Sequence, residues 1–430
     1  MKDVVNAALL RFLEKCVSPF HVIAAVKAEL ESYTELKEGE AWEIVPGGRY
    51  YVTRNGSAVI AFRVPEGEWQ GFLLAASHSD SPTFKVKNDA DMAGPENYVR
   101  LNTEPYGGSL YATWMDRPLS VAGRALVRNG GRIEAKLVNV DRDLLLIPNV
   151  AIHMNRQVNS GYAYNPKTDL VPLMGQSGGK SFGDIVAEAA GAEKENVLSY
   201  DLFLYLRQKG AVWGADNEFV SAPRLDDLQC VFATLQGFLK AEKSGSMPVY
   251  CVFDNEEVGS GSRQGADGTF LRDVMERICA ALGRTLSREA AHSFMVSADN
   301  GHAVHPNHSE YADATNRPRM NGGVVIKHNA SQRYTTDAIS EAVFGEVCRR
   351  AGVAVQHYAN RSDVPGGSTL GNIANSHVSL FTVDIGLAQL AMHSAYETAG
   401  AEDTAALVKA MTSYYSATLS AEGDGVLVLR

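Results

Sequence analysis

Apolar residues in this chain fall into short dense runs separated by amphipathic stretches of helical period, and that alternation is the first guide to its fold. Val4 to Leu13 repeats at helical spacing, and Ser18-Pro19 supplies an N-cap and a first-turn proline for a second helix through Ala24, Ala25 and Leu30. Tyr50 to Val64 alternates on either side of Asn55-Gly56, the pattern of a β-hairpin. Gly71 to Ser77, Val249 to Phe253, Ser293 to Ser297, Gly322 to Lys327 and Val378 to Val383 are mainly apolar, which predicts buried strands. Helices are predicted between them. One begins at Asp226-Asp227 and carries Leu228, Phe232, Leu235 and Leu239 on one face; others run from Thr336 to Ala351 and from Asp403 to Leu419. Strand alternating with helix predicts an α/β fold.

From about Val86 to Asp216 the pattern changes. Gly107-Gly108, Gly130-Gly131, the alternating stretch Ala135 to Val140 and the polar stretch Asn159 to Pro166 predict a β-rich segment inserted between strands of the α/β part. A chain of 430 residues exceeds one ordinary core. The expected division is a catalytic domain in two parts, 1–86 and 219–430, around an inserted domain at 87–218. Gly175 to Ser181 superficially resembles a phosphate-binding loop, but its leading glycine is one position late and no strand is predicted before it, so a flexible loop is expected.

Composition narrows the function. Hydrophobic content of 45% with 21% charged residues fits a soluble globular protein, and a net charge of −10 without any basic cluster argues against nucleic acid as a partner. The five cysteines are scattered through apolar surroundings, which predicts reduced core thiols and a cytoplasmic location. Met1 to Lys15 lacks the uninterrupted apolar core of a secretion signal, and no run approaches membrane-spanning length, so no membrane association is expected.

The candidate chemistry collects where predicted strands end and helices begin. The run Val249 to Phe253 stops at Asp254-Asn-Glu-Glu257, and Gly71 to Ser77 delivers His78-Ser-Asp80, in which His78 and Asp80 share a face of the extended chain. Asp226, Asp299 and His393 occupy similar positions. Carboxylates at a turn or in a helix's first turn are ordinarily solvated or capping groups. Two imidazoles with several carboxylates and no thiolate, however, make a donor set for Zn²⁺, Mn²⁺ or Co²⁺, and a shared aspartate can bridge two cations about 3.5 Å apart. His302, His305 and His308 recur at three-residue spacing, but Pro306 breaks any helix that would align them. Neither a His-Glu-x-x-His helix nor a Gly-x-Ser-x-Gly elbow is present.

Six stretches, in order, resemble the aspartyl aminopeptidase family of dinuclear zinc metallopeptidases: Ser77 to Pro82, Tyr106 to Arg117, Pro223 to Leu228, Asp254 to Ser260, Ser297 to Asn307 and Gln389 to Ser394. The resemblance implies a mixed-sheet three-layer catalytic domain with an inserted β-rich dimerisation domain, and dimers that assemble into a homododecamer. It implies two divalent ions per subunit, most simply Zn²⁺, with His78, Asp226, Glu257, Asp299 and His393 as ligands and Asp226 as the bridge. Asp80 would stand behind His78, and Glu256 would be the general base beside a metal-bridging hydroxide. The family usually reads Leu-Asp-Asn where this chain has Leu225-Asp-Asp227, which places an extra carboxylate beside the bridge.

The implied substrates are peptides with N-terminal Asp or Glu. Desolvating that carboxylate requires cationic or polar donors, for which Lys327, with Tyr334 nearby, and His153 reaching in from a neighbouring subunit are the candidates. The alternatives are a related dinuclear peptidase of broader specificity and a non-catalytic assembly protein on the same scaffold.

Overall fold

The computed structural model of the chain describes residues 2–430. Its central sheet is built from β1 (Thr34–Leu36), β2 (Arg49–Arg54), β3 (Ala58–Arg63), β4 (Phe72–His78), β5 (Met247–Phe253), β6 (Phe294–Ala298), β7 (Val324–His328), β8 (Val355–Ala359) and β9 (Phe381–Gly386). Their spatial order is β1-β2-β3-β5-β4-β6-β9-β7-β8. The sheet is mixed: β4, β5, β6 and β9 run parallel, whereas β3 meets β5 and β7 meets β9 antiparallel. β2 and β3 form the expected hairpin, with Asn55 and Gly56 both at positive φ in its turn.

Every residue of β4, β5 and β6 is buried, so these strands carry continuous apolar runs and alternate residues serve two cores. Leu73, Ala75, Tyr250, Val252 and Val296 face the helices Lys2–Lys15, Pro19–Glu29, Leu225–Lys240, Ala338–Ala351 and Asp403–Ser416. Phe72, Leu74, Val249, Cys251 and Met295 face the helices Phe270–Ala281 and Leu370–His377, which the sequence pattern had not singled out. This is a helix–sheet–helix arrangement of three layers.

The helix Leu225–Lys240 approaches Asp403–Ser416 through Gly237, where an added Cβ would lie 2.4 Å from the Cβ of Met411. Alanine there would gain up to about 1 kcal/mol of helix propensity, but overpacking costs about 1–3 kcal/mol. Gly237→Ala is therefore expected to lower the urea midpoint with an unchanged slope, and a midpoint at or above that of the parent protein would show that the two helices separate freely.

A second sheet, antiparallel and distinct from the first, joins Arg132–Asn139, Leu119–Asn129, Val197–Leu206, Thr83–Ala93, Tyr98–Tyr106 and Leu173–Gln176 in that order. It encloses a separate core that includes Phe84, Trp114, Leu119, Val121, Leu202 and Leu204. A third sheet, not anticipated from the sequence, joins Ala211–Trp213, Phe219–Ala222, Glu397–Gly400, Ala388–Leu390 and Gly301–His302. Of the loop expected at Gly175 to Ser181, Gly175 and Gln176 end the strand Leu173–Gln176, and Ser177 to Lys180 form a turn leading to Ser181, the N-cap of the next helix. Ser181 and Asp184 form a capping box at Phe182–Ala190, and Lys180 pairs with Glu188. All five cysteines are free and buried. Among the described residues, no helix is long and apolar enough to cross a membrane.

Candidate metal centre

Strand register brings the first groups together. His78, the last residue of β4, lies opposite Phe253, the last of β5, while Ala76 lies opposite Ser297 of β6. Three parallel strands therefore end at one edge and deliver His78, the turn Asp254 to Glu257, and Asp299. Asn255, at φ +64°, turns the chain so that Glu256 and Glu257 follow directly.

Asp226 and Asp227 enter from the helix Leu225–Lys240, but their backbone is not yet helical and they do not act as its cap. The regular helix starts beyond them, which frees both carboxylates for other work. His393 follows the strand Ala388–Leu390, adopts φ +67°, and sets its Nδ1 2.8 Å from the carbonyl oxygen of Gly108. That carbonyl belongs to the connection leaving Tyr98–Tyr106, so the antiparallel sheet also contributes to this region.

Asp226 lies between the two histidines. Its Oδ1 is 3.5 Å from His78 Nε2, and its Oδ2 is 3.6 Å from His393 Nε2. Glu257 Oε2 is 3.4 Å from His393 Nε2, and Glu256 Oε2 is 4.0 Å from His78 Nε2. Asp226, Glu257 and His393 form one group able to converge on a cation; His78, Asp227 and Asp299 form a second, and His78, Glu256 and Glu257 a third.

A buried frame of hydrogen bonds holds these side chains. Asp80 accepts the backbone N–H groups of Glu256 and Glu257, each at 3.1 Å, and the hydroxyl of Tyr106 at 2.8 Å. Its Oδ1 is also 3.3 Å from His78 Nδ1, so it fixes that imidazole's orientation and leaves Nε2 pointing at Asp226. Glu397 accepts the backbone N–H groups of Asp226 at 3.0 Å and His393 at 2.8 Å. Asp227 turns underneath and accepts the backbone N–H of His78 at 3.3 Å. Sequence reasoning found Asp80 but missed Glu397, a lone acid in a short strand with no local feature to distinguish it.

The electrostatics call for a cation. Burial pushes the Glu256 carboxyl up to about 8, with His78 opposing and Asp299, Asp80 and Asp226 adding. Burial likewise drives Glu257 and Asp227 well above the usual carboxylate range. Burial pushes Asp226 upward too, but His78, His393 and Lys327 together hold it below its ordinary value. Asp226 Oδ1, Asp227 Oδ1 and Glu257 Oε1 are buried without a hydrogen-bond partner. Buried carboxyl groups with orphaned oxygens need positive charge, and imidazole nitrogens with carboxylate oxygens suit zinc and its neighbours, so the residues present fit such ions.

The remaining candidates stand further off. Lys327 is buried on β7; its ammonium donates to the Asn300 carbonyl at 2.8 Å and lies 3.6 Å from Asp299 Oδ2. Burial opposes its charge, but Asp299, Tyr334 and Asp384 hold its pKa above the ordinary lysine value. The buried Tyr334 ring centroid is 5.5 Å from that ammonium. His153 is exposed and enters none of the cation-binding groups within this chain. His302, His305 and His308 also enter none; His305 and His308 form a small turn of their own.

Residues 12–415 match the family described as aminopeptidase I zinc metalloprotease (M18). A probable M18 family aminopeptidase 2 from Clostridium acetobutylicum is 44% identical over 422 residues, spanning 95% of this chain and 98% of that protein. A protein of the same description from Pseudomonas aeruginosa is 40% identical over 429 residues, spanning 97% and 99%. Among solved structures, the cryo-EM structure of the Ape4 and Nbr1 complex superposes with a TM-score of 0.93 at 33% identity, covering 96% of this chain and 86% of that one. The S. cerevisiae mApe1 dodecamer gives 0.85 at 28%, covering 96% of each.

Proposed function

Because this chain belongs to the M18 family of zinc aminopeptidases over most of its length, we propose that it is the aspartyl type, removing N-terminal Asp and Glu from peptides with two zinc ions per subunit. The observation that carries the dinuclear reading is the position of Asp226, whose two oxygens face different histidines. In this reading His78, Asp226 and Asp299 would hold one ion, and Asp226, Glu257 and His393 would hold the other. Asp227 accepts the backbone N–H of His78 through Oδ2 and would chiefly orient that ligand, its free Oδ1 lying in the group with His78 and Asp299. When bound, the ions supply Lewis acidity toward the scissile carbonyl and lower the pKa of water to about 7.

Glu256 is the general base. It takes a proton from the attacking water and returns it to the departing amine, while Asp80 holds it in place through the backbone of its own turn. The non-catalytic alternative is disfavoured by the overlap of the cation-binding groups: Glu257 is common to one with His78 and Glu256 and one with Asp226 and His393, and His78 links the first to Asp227 and Asp299.

Acid preference rests on Lys327. An ammonium has three donors, and only the Asn300 carbonyl lies at hydrogen-bond distance, so Lys327 can also meet a substrate carboxylate with Tyr334 beside it. His153 would be supplied by a second copy of the chain through the unit 87–218, acting as a dimerisation domain within a homododecamer of the kind named for yeast mApe1, in the cytoplasm. A panel of aminoacyl chromogenic substrates tests the specificity. The reading expects Asp and Glu to lead; preference for Leu or Ala would favour a broad aminopeptidase in which Lys327 serves only Asp299.

One paired experiment separates the two specificity residues. Lys327→Ala is expected to lose about 10- to 100-fold of its preference for acidic over neutral substrates, the worth of one charge-assisted hydrogen bond. His153→Ala is expected to sediment as the parent does yet turn over more slowly. Full activity from protein shown to be monomeric at assay concentration would refute the shared site.

A further inference from the structure

A second cluster of metal-binding groups lies away from this centre. In the parallel pair β7 and β8, Ile326 lies opposite His357, and His328 lies two residues beyond Ile326, so His328 and His357 project from the same face. Lys327 projects from the other. Glu341, on the first turn of the helix Ala338–Ala351, covers the histidine face. His357 Nδ1 is 3.5 Å from His328 Nε2 and 3.5 Å from Glu341 Oε1, and His328 Nε2 is 3.8 Å from Glu341 Oε2.

We propose that His328, Glu341 and His357 form a third divalent-cation site, specific for zinc-like ions, that ties the sheet edge at β8 to the helix Ala338–Ala351. Zinc bonded to nitrogen or oxygen at about 2.0–2.1 Å in a tetrahedron sets its ligand atoms about 3.4 Å apart, close to the spacing found. The three groups come from three different elements yet converge within 4.8 Å. Their side chains are 32–44% exposed, so an ion can enter and water can complete the coordination. Two imidazoles and one carboxylate favour Zn²⁺, Co²⁺, Ni²⁺ or Cu²⁺ over Mg²⁺ or Ca²⁺. β8 has no strand on its outer side, so an ion here fastens an otherwise free edge.

The test is equilibrium dialysis of the full-length enzyme against rising free Zn²⁺, with zinc counted per chain by mass spectrometry. The parent protein is expected to take up one ion more than His357→Ala, whatever number the peptidase centre holds, and Glu341→Gln, a milder change on the helix surface, should show the same deficit. Saturating turnover of an aminoacyl substrate should be equal in all three proteins, which confirms that they are folded. Zinc above the level that saturates activity should raise the thermal midpoint of the parent alone, since a ligand that binds only the native state stabilises it. Equal zinc content in all three proteins, or midpoints that rise in parallel, would overturn the proposal.

Discussion

Glu256→Gln is expected to keep its zinc and its fold and to lose about 10² to 10⁴ in kcat, the usual worth of a positioned general base. The substitution preserves volume, and the contact that holds the turn is the backbone N–H of residue 256 donating to Asp80, which the new side chain does not alter. Most of the loss should fall in kcat rather than KM, because the base acts on the proton in flight and not on the resting peptide. Turnover of an aspartyl substrate and zinc content should be measured on one sample. Near-normal turnover with full zinc would assign the proton to another group, and low zinc would make Glu256 a ligand instead.

Asp226→Ala is expected to do more, because it removes the carboxylate whose two oxygens face different histidines. Zinc per chain should fall and activity should drop to background. Asp227→Ala should weaken zinc by only about 10- to 100-fold, the effect of losing a group that orients a ligand without being one. Its removal frees a backbone N–H of His78 and leaves the ligating atoms in place. Zinc analysis after dialysis ranks the two variants, and the opposite ranking would make Asp227 the bridge.

Much of this arrangement was legible in the chain. Buried strands announce themselves through uninterrupted apolar runs, and β4, β5 and β6 each fall within a few residues of where those runs lie. The acids and histidines at their ends stood out because a polar cluster directly after such a run has to face something. The third sheet was not legible. Its members, among them Gly301–His302 and Ala388–Leu390, are too short to show a period, and their pairing is decided by partners far along the chain. The helix Phe270–Ala281 was overlooked although Phe270, Leu271, Val274, Met275, Ile278 and Cys279 recur at helical spacing, whereas Leu370–His377 is short and follows the glycine pair Gly366-Gly367. Glu397 lay outside every pattern because its work is done with backbone N–H groups, which no sequence spells out. Asp226 and Asp227 looked like helix caps until the backbone at both proved non-helical.

The meeting of Gly108 with His393, and of Tyr106 with Asp80, limits how the two halves of this molecule can vary. The antiparallel sheet is not a detachable module: excising it would leave one imidazole free to swing and the hub carboxylate without its phenol. Beyond Gly107, where an added Cβ would sit 3.2 Å from the Cβ of Glu257, that constraint fades quickly along the inserted chain. The hairpin tip at Asn129 to Arg132 is exposed at the far end of its strand pair, where changes of length or charge leave the centre of this subunit untouched. Diversification of the insert is thus expected to be graded, tightest where it reaches inward at Tyr106 to Gly108 and loosest at that tip.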